Sequence, residues 1–254
     1  MILHTDITGQ GEPLVLIHGL FGSYDNLGVI ARSLQDRFQL INLDLRNHGR
    51  SPRADLMNYS LMATDVLETL DQLSVETTAI LGHSMGGKVA MQVALAQPQR
   101  VSKLLLADIS PVVNDARHLS ILTGLASVDL AQLTGRADAD RQLAAFISDA
   151  GVRQFLLKSL YKDELGQFQW RFNVAALQQN YPEILAAPAA EGPYTGPVLF
   201  IKGGDSDYIQ PAHQPHILTL FPAASAKIIQ GTGHWLHAEK PAAFSKIVTD
   251  FLLR

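Results

Sequence analysis

The run Gly82-His83-Ser84-Met85-Gly86 constrains this chain more than any other feature. It follows the apolar, β-type segment Thr78–Leu81 directly and leads into Val89, Ala90, Val93 and Ala94, which fall on one face of a helix. A chain that passes from strand to helix this abruptly forces the serine backbone into a strained conformation and leaves its hydroxyl standing clear. Glycines two before and two after are needed because side chains there would collide with the neighbouring strand or helix. A hydroxyl beside unpaired helix N–H groups suits nucleophilic attack, since the amides and the helix dipole favour developing negative charge. Ser84 is therefore the candidate nucleophile. The amide of Met85, the next residue, is a candidate donor to an oxyanion.

The surrounding pattern is that of an α/β chain. Short apolar runs at Leu14–Ile17, Leu40–Leu43, Thr78–Leu81, Leu104–Ala107, Val198–Ile201 and Lys227–Ile229 alternate with helical patterns, as in a mostly parallel sheet covered on both faces. Ile2–Ile7 alternates polar and apolar residues and reads as an antiparallel edge strand. Leu27, Ile30, Ala31 and Leu34 form one helical stripe. Ala63, Val66, Leu67 and Leu70 form a second, with Ser60 as its expected N-cap. Pro241 opens a last helix striped by Phe244, Ile247, Val248 and Phe251. Between Val112 and Thr195 the alternation stops. About eighty residues of helical pattern without a good strand predict a helical cap rather than a loop. The expected division is a core of residues 1–111 and 196–254 with a cap (lid) of residues 112–195.

Composition narrows the function. Net charge is −4, without the basic footprint of a nucleic-acid binder. Hydrophobic residues make up 47% and charged residues 17%, which favours a large core and an apolar pocket. The absence of cysteine excludes thiolate catalysis and cysteine-ligated metals and agrees with a cytoplasmic setting. The first residues lack a signal-peptide pattern, and no apolar run approaches the ~20 residues that span a bilayer. The expected partner is a small molecule rather than nucleic acid or membrane, bound by a monomer or homodimer.

Two further motifs complete the chemistry. His18-Gly19-Leu20-Phe21-Gly22 follows the strand Leu14–Ile17. Acyl transfer needs at least two N–H donors at the oxyanion, and this loop offers the second, most simply Leu20, with Phe21 as the neighbouring candidate. His18 reads as a structural hydrogen-bonder under the loop. Gly231-Thr232-Gly233-His234-Trp235 follows the last strand, so His234 is the candidate base for Ser84. His237 is less favoured, because it falls in the turn that leads to the last helix. No pair of histidines carries zinc-type spacing with a carboxylate, so no metal site is expected.

These motifs, with Asp44-Leu-Arg46-Asn47-His48-Gly49-Arg-Ser51 and Gly233-His234-Trp-Leu-His-Ala-Glu-Lys-Pro241, occur in order over nearly the whole chain. Together they resemble a branch of the α/β-hydrolase esterases. The Arg-Asn-His-Gly variant is the more specific clue, and Trp170-Arg171-Phe172-Asn173 is similar to the same branch. The resemblance implies carboxylesterase or acyl-CoA thioesterase activity, no cofactor, and a lid between the sixth and seventh sheet strands.

The histidine needs a carboxylate on its second nitrogen. In most members of this fold it follows the strand placed at Val198–Ile201, but that slot here holds Ser206, flanked by Asp205 and Asp207. The alternative is Asp108, which ends the apolar run Leu104–Ala107, where an unpaired carboxylate would be costly. Asp108 is the favoured acid, with Asp207 and Asp205 left open and Ser206 as a possible fourth member. Asp44, Arg46 and Ser51 read as loop-shaping residues. Phe21, Phe155 and Trp170 are candidate pocket walls. Two rival readings remain: a carbon–carbon bond hydrolase or lyase whose anionic substrate Arg153 and Arg171 would bind, and a non-catalytic ligand-binding module.

Overall fold

The computed structural model describes all residues, Met1–Arg254. Seven strands form one sheet: β1 (Thr5–Thr8), β2 (Glu12–Ile17), β3 (Phe38–Leu43), β4 (Thr78–His83), β5 (Val101–Ala107), β8 (Val198–Gly203) and β9 (Ala224–Ile229), in the order β1-β3-β2-β4-β5-β8-β9. β1 pairs antiparallel with β3, and all other neighbours are parallel. The strand side chains alternate between two cores, as the period of two requires. Val15, Ile17, Ile41, Leu43, Ile80, Leu104 and Leu106 face α2 (Tyr59–Gln72) and α3 (Met85–Ala96). Leu14, Leu16, Leu40, Ala79, Leu81, Leu105 and Ala107 face α1 (Gly28–Leu34) and α11 (Pro241–Leu252).

The segment between β5 and β8 carries α4 (Leu119–Ser127), α5 (Arg136–Ala144), α6 (Ala150–Leu157), α7 (Val174–Gln179) and α8 (Tyr181–Leu185). It also contains a hairpin, β6 (Leu160–Lys162) paired with β7 (Phe168–Trp170), where the sequence suggests no strand. Three-residue strands are too short to show a period, and the turn between them uses Gly166 at φ +77°. After this segment, α9 (Gln214–Leu220) links β8 to β9, and α10 (Leu236–Glu239) precedes α11.

Counted along this chain, five sheet strands precede the inserted segment and two follow, so it lies between the fifth and sixth rather than the sixth and seventh. Only one strand precedes β2. The residues before it tie to α2 instead: Leu3 N–H donates to Thr69 Oγ1 (3.0 Å) and the Met1 amino group to Asp65 Oδ1 (2.8 Å). The N-cap of α2 is Asn58, whose side chain accepts from Leu61 N–H, rather than Ser60. An Asx side chain held in extended backbone reaches this amide, and the serine two residues later already lies within the helix.

The cap segment docks on the core through the β3–α2 loop. Asn47, held at φ +64°, accepts from Asn173 N–H (2.8 Å) at its carbonyl and from Asn173 Nδ2 (3.2 Å) at Oδ1. Arg53 donates to Trp170 O (2.9 Å). Farther along, Lys88 Nζ on α3 donates to Leu185 O (3.1 Å) and Ala186 O (2.7 Å), pinning the end of the segment where it returns to the sheet.

Candidate active site

The parallel sheet brings three loops to one rim. His83 at the end of β4 is in register with Ala107 on β5, and Ala107 with Ile201 on β8. The residues just past the first two strands are Ser84 and Asp108, and each leaves its strand with positive φ, 54° and 51°. Both conformations are rare for non-glycine residues, and both are held by backbone bonds: Ser84 N–H to Ala107 O (3.0 Å) and Asp108 N–H to Ile201 O (2.8 Å). The close packing explains the glycines. A Cβ on Gly86 would overlap the carbonyls of His18 and Ile17, and one on Gly82 would overlap Gly86.

At this rim, Ser84 Oγ lies 2.9 Å from His234 Nε2, and His234 Nδ1 lies 2.7 Å from Asp108 Oδ2. Asp108 is fully buried and fully bonded: Oδ1 accepts from Gly203 N–H (3.0 Å), and Ser206 Oγ donates to Oδ2. Ser206 thus joins the group through the carboxylate rather than through the imidazole. Asp207 points outward and pairs with Arg117, and Asp205 is exposed. The structure brings together Ser84, His234, Asp108 and Ser206 and leaves Asp205 and Asp207 out. In a turn, successive side chains diverge, so the residues beside Ser206 cannot share its direction.

The amides of Leu20 and Met85 make no hydrogen bond within the protein. Phe21 N–H, the other candidate, is taken by His48 Nε2 (3.3 Å). His18 and His48 are buried beneath this rim. His18 donates from Nδ1 to Gly19 O (2.7 Å) and accepts from Leu45 N–H at Nε2 (3.1 Å). His48 donates from Nδ1 to Arg46 O (3.0 Å). Burial pushes the pKa of His18 down to about 4 and that of His48 to about 3, so both are neutral supports. His83 donates from Nε2 to His234 O (2.9 Å) and holds the histidine loop in place. His237, in α10, is buried, with its pKa pushed to about 4.

A cavity of about 250 Å³ opens over Ser84 and His234. Phe21 and Phe155 line it, together with Leu20, Ile121, Val152, Leu156 and Trp235. Trp170 does not: it is buried behind the wall, stacked on Phe172 with centroids 5.5 Å apart. Its place in β7 turns the ring toward the core shared with α2 and α3, a direction that residue type does not reveal. No lysine or arginine lines the cavity. Arg153 is engaged by Asp140 (2.9 Å) and the carbonyls of Ile147 and Ser148, and Arg171 lies over the Tyr161 ring (4.5 Å).

Tyr208 and His118 also line the cavity, and neither stands out in the sequence. The Tyr208 ring stacks on the His234 imidazole with centroids 3.8 Å apart and planes 14° apart. Its N–H donates to Ser206 Oγ (3.3 Å), and the Arg117 guanidinium lies 4.8 Å from its centroid. An aromatic residue immediately after the candidate acid segment Asp205–Asp207 is the only linear signal, and it is weak.

Comparisons with known proteins identify the family. A family model described as alpha/beta hydrolase fold matches residues 12–241. Esterase YbfF of Escherichia coli is 41% identical over 244 residues, covering 96% of this chain and 94% of that protein. The sn-1-specific diacylglycerol lipase ABHD11 of Xenopus laevis is 40% identical over 250 residues, covering 95% and 80%. The solved structure of a marine microorganism esterase superposes with a TM-score of 0.96 at 40% identity, covering 98% of this chain and 99% of that one. An E-2-(acetamidomethylene)succinate hydrolase shares the fold at a TM-score of 0.80 and 20% identity, covering 99% of this chain and 95% of that one. The chain belongs to the α/β-hydrolase fold family, and within it is similar to Esterase YbfF.

Proposed function

We propose that this protein is a serine hydrolase of carboxylic esters and acyl-CoA thioesters, with Ser84, His234 and Asp108 as its catalytic triad. The single observation that carries this reading is the continuous relay from Ser84 Oγ through both imidazole nitrogens to a buried carboxylate. The esterase and lipase names of the relatives support the ester bond as its target.

In the first step, His234 Nε2 takes the Ser84 proton as Oγ attacks the acyl carbonyl. Asp108 holds the imidazole in the tautomer that leaves Nε2 free and stabilises the imidazolium. The free amides of Leu20 and Met85 receive the oxyanion. The imidazolium then protonates the departing alcohol or thiol. Water, deprotonated by His234, releases the acid from Ser84. No step calls for a cofactor. Residues 112–195 act as the lid, and their apolar side chains with Phe21 wall the acyl site. Such walls discriminate by only about 1–3 kcal/mol per methylene, so acyl tolerance is broad.

The test is a panel of nitrophenyl esters and acyl-CoA thioesters with Ser84→Ala as control and a fluorophosphonate label. Turnover of short esters by the intact protein, its loss in Ser84→Ala, and labelling at Ser84 are expected. An intact protein that neither hydrolyses nor takes the label would leave the non-catalytic reading in place.

A further inference from the structure

His118 is the N-cap of α4 and is half-buried against the same cavity that holds Ser84 and His234. Its backbone N–H donates to Tyr181 Oη (2.9 Å), and its ring Nδ1 lies 3.2 Å from the same oxygen. Tyr181 is buried, and its hydroxyl has no other partner. A phenol carries one proton, and a buried proton goes to an acceptor. Here the one acceptor within reach is Nδ1. The ring proton of the neutral imidazole therefore sits on Nε2.

Tyr181 does not line the cavity, so the Nδ1 edge of His118 faces away from it. Nε2 has no protein partner and is not closed off from solvent. The ring is fixed laterally by an edge contact with Phe21, centroids 6.0 Å apart at 74°. Burial, with His234 and Arg117 nearby, pushes its pKa to about 4, which keeps it uncharged at neutral pH.

Resting on the serine-hydrolase reading above, we infer that His118 is a specificity-determining residue that offers its Nε2–H to a neutral oxygen carried by the ester beyond the scissile carbonyl. An ether, hydroxyl or second ester oxygen, as on a glyceride, is the matching chemistry. A carboxylate is not, because no cationic side chain faces the cavity. A hydrocarbon in the same place leaves a polar group unpaired, and that penalty separates substrates better than apolar contact does.

Two matched pairs of esters, each exchanging one methylene for oxygen, test this and locate the oxygen. The pair 2-methoxyethyl butyrate and butyl butyrate reads the alcohol side; ethyl 4-methoxybutyrate and ethyl hexanoate read the acyl side. The measurement is the oxygen-to-methylene ratio of kcat/KM. In His118→Phe that ratio is expected to fall about tenfold in one pair. Tyr181→Phe, which keeps the imidazole but removes the proton that fixes its tautomer, is expected to lower the same ratio. Ratios unchanged in both pairs and both variants overturn the inference. Fluorophosphonate labelling of the wild type separates the two failures. A labelled, active enzyme with unmoved ratios sinks only the role of His118, whereas an unlabelled one sinks the serine-hydrolase reading and this inference with it.

Discussion

Asp108 Oδ2 lies 2.7 Å from His234 Nδ1, although 126 positions separate the two residues in the chain. The carboxylate has no contact with solvent, and its other oxygen is held by Gly203 N–H. Asp108→Asn keeps the shape but favours the wrong imidazole tautomer. It is expected to lower kcat by on the order of 10⁴ with a nitrophenyl ester. Asp207→Asn and Asp205→Asn are expected to stay within a few-fold of wild type. A severe loss in Asp207→Asn with a mild one in Asp108→Asn would reverse the assignment.

Tyr208 covers one face of His234 and leaves the imidazole little room to tilt. Because that face is filled, the Arg117 guanidinium must occupy the opposite face of the tyrosine. Tyr208→Ala is expected to slow fluorophosphonate labelling of Ser84 on the order of tenfold to a hundredfold, the cost of a misplaced catalytic group. Tyr208→Phe retains the stacked ring and is expected to label at nearly the wild-type rate. Equal slowing in both variants would place the effect in the hydroxyl instead.

Acid should unfold the protein early. Burial lowers the folded-state pKa of His18, His118 and His237 to about 4 and of His48 to about 3, against 6.5 when exposed. Between those limits the unfolded chain binds protons that the folded one refuses, so stability falls as pH drops from 6.5 toward 4. Each such group contributes up to about 1.4 kcal/mol per pH unit in that window. Urea unfolding midpoints at pH 7, 6 and 5 are the check, and a flat series contradicts the burial of these rings as neutral species.

Arg46 and Asp65 form a buried two-point pair, Nε to Oδ2 at 2.6 Å and Nη2 to Oδ1 at 2.8 Å. Arg46 also donates to Leu56 O (2.8 Å) and Leu61 O (3.3 Å), tying the β3–α2 loop to the helix. Arg46→Met leaves Asp65 charged and buried beside only the Met1 amino group, and about 3–5 kcal/mol of stability is expected to be lost. Chemical denaturation measures it. Loss of activity without loss of stability would instead assign Arg46 to the reaction.

The linear sequence carries local chemistry well. The turn at Ser84 is readable because a strand, a tight turn and a helix each leave their mark within a few residues, with Gly86 answering a collision with Ile17 and His18 and Gly82 one with Gly86. His234 is readable for the same reason, as a histidine just past the last strand. Five of the strands, β2, β3, β4, β5 and β8, appear as nearly continuous apolar runs because both sheet faces are covered there, whereas β9, at the sheet edge, is mostly exposed. The hairpin at β6 and β7 is not readable, since three residues are too few to show alternation.

What the sequence by itself determined is the fold class, the strand-to-helix turn at Ser84 and the loops that meet it. Tertiary structure alone decided which of three aspartates faces His234, that Trp170 packs inward while Phe155 lines the cavity, and that Tyr208 and His118 stand in the same cavity as that histidine. The physical reason is one of range. Backbone conformation and hydrophobic period are set by neighbours a few residues away, whereas the direction of a side chain at a loop is set by what packs against it from segments far along the chain.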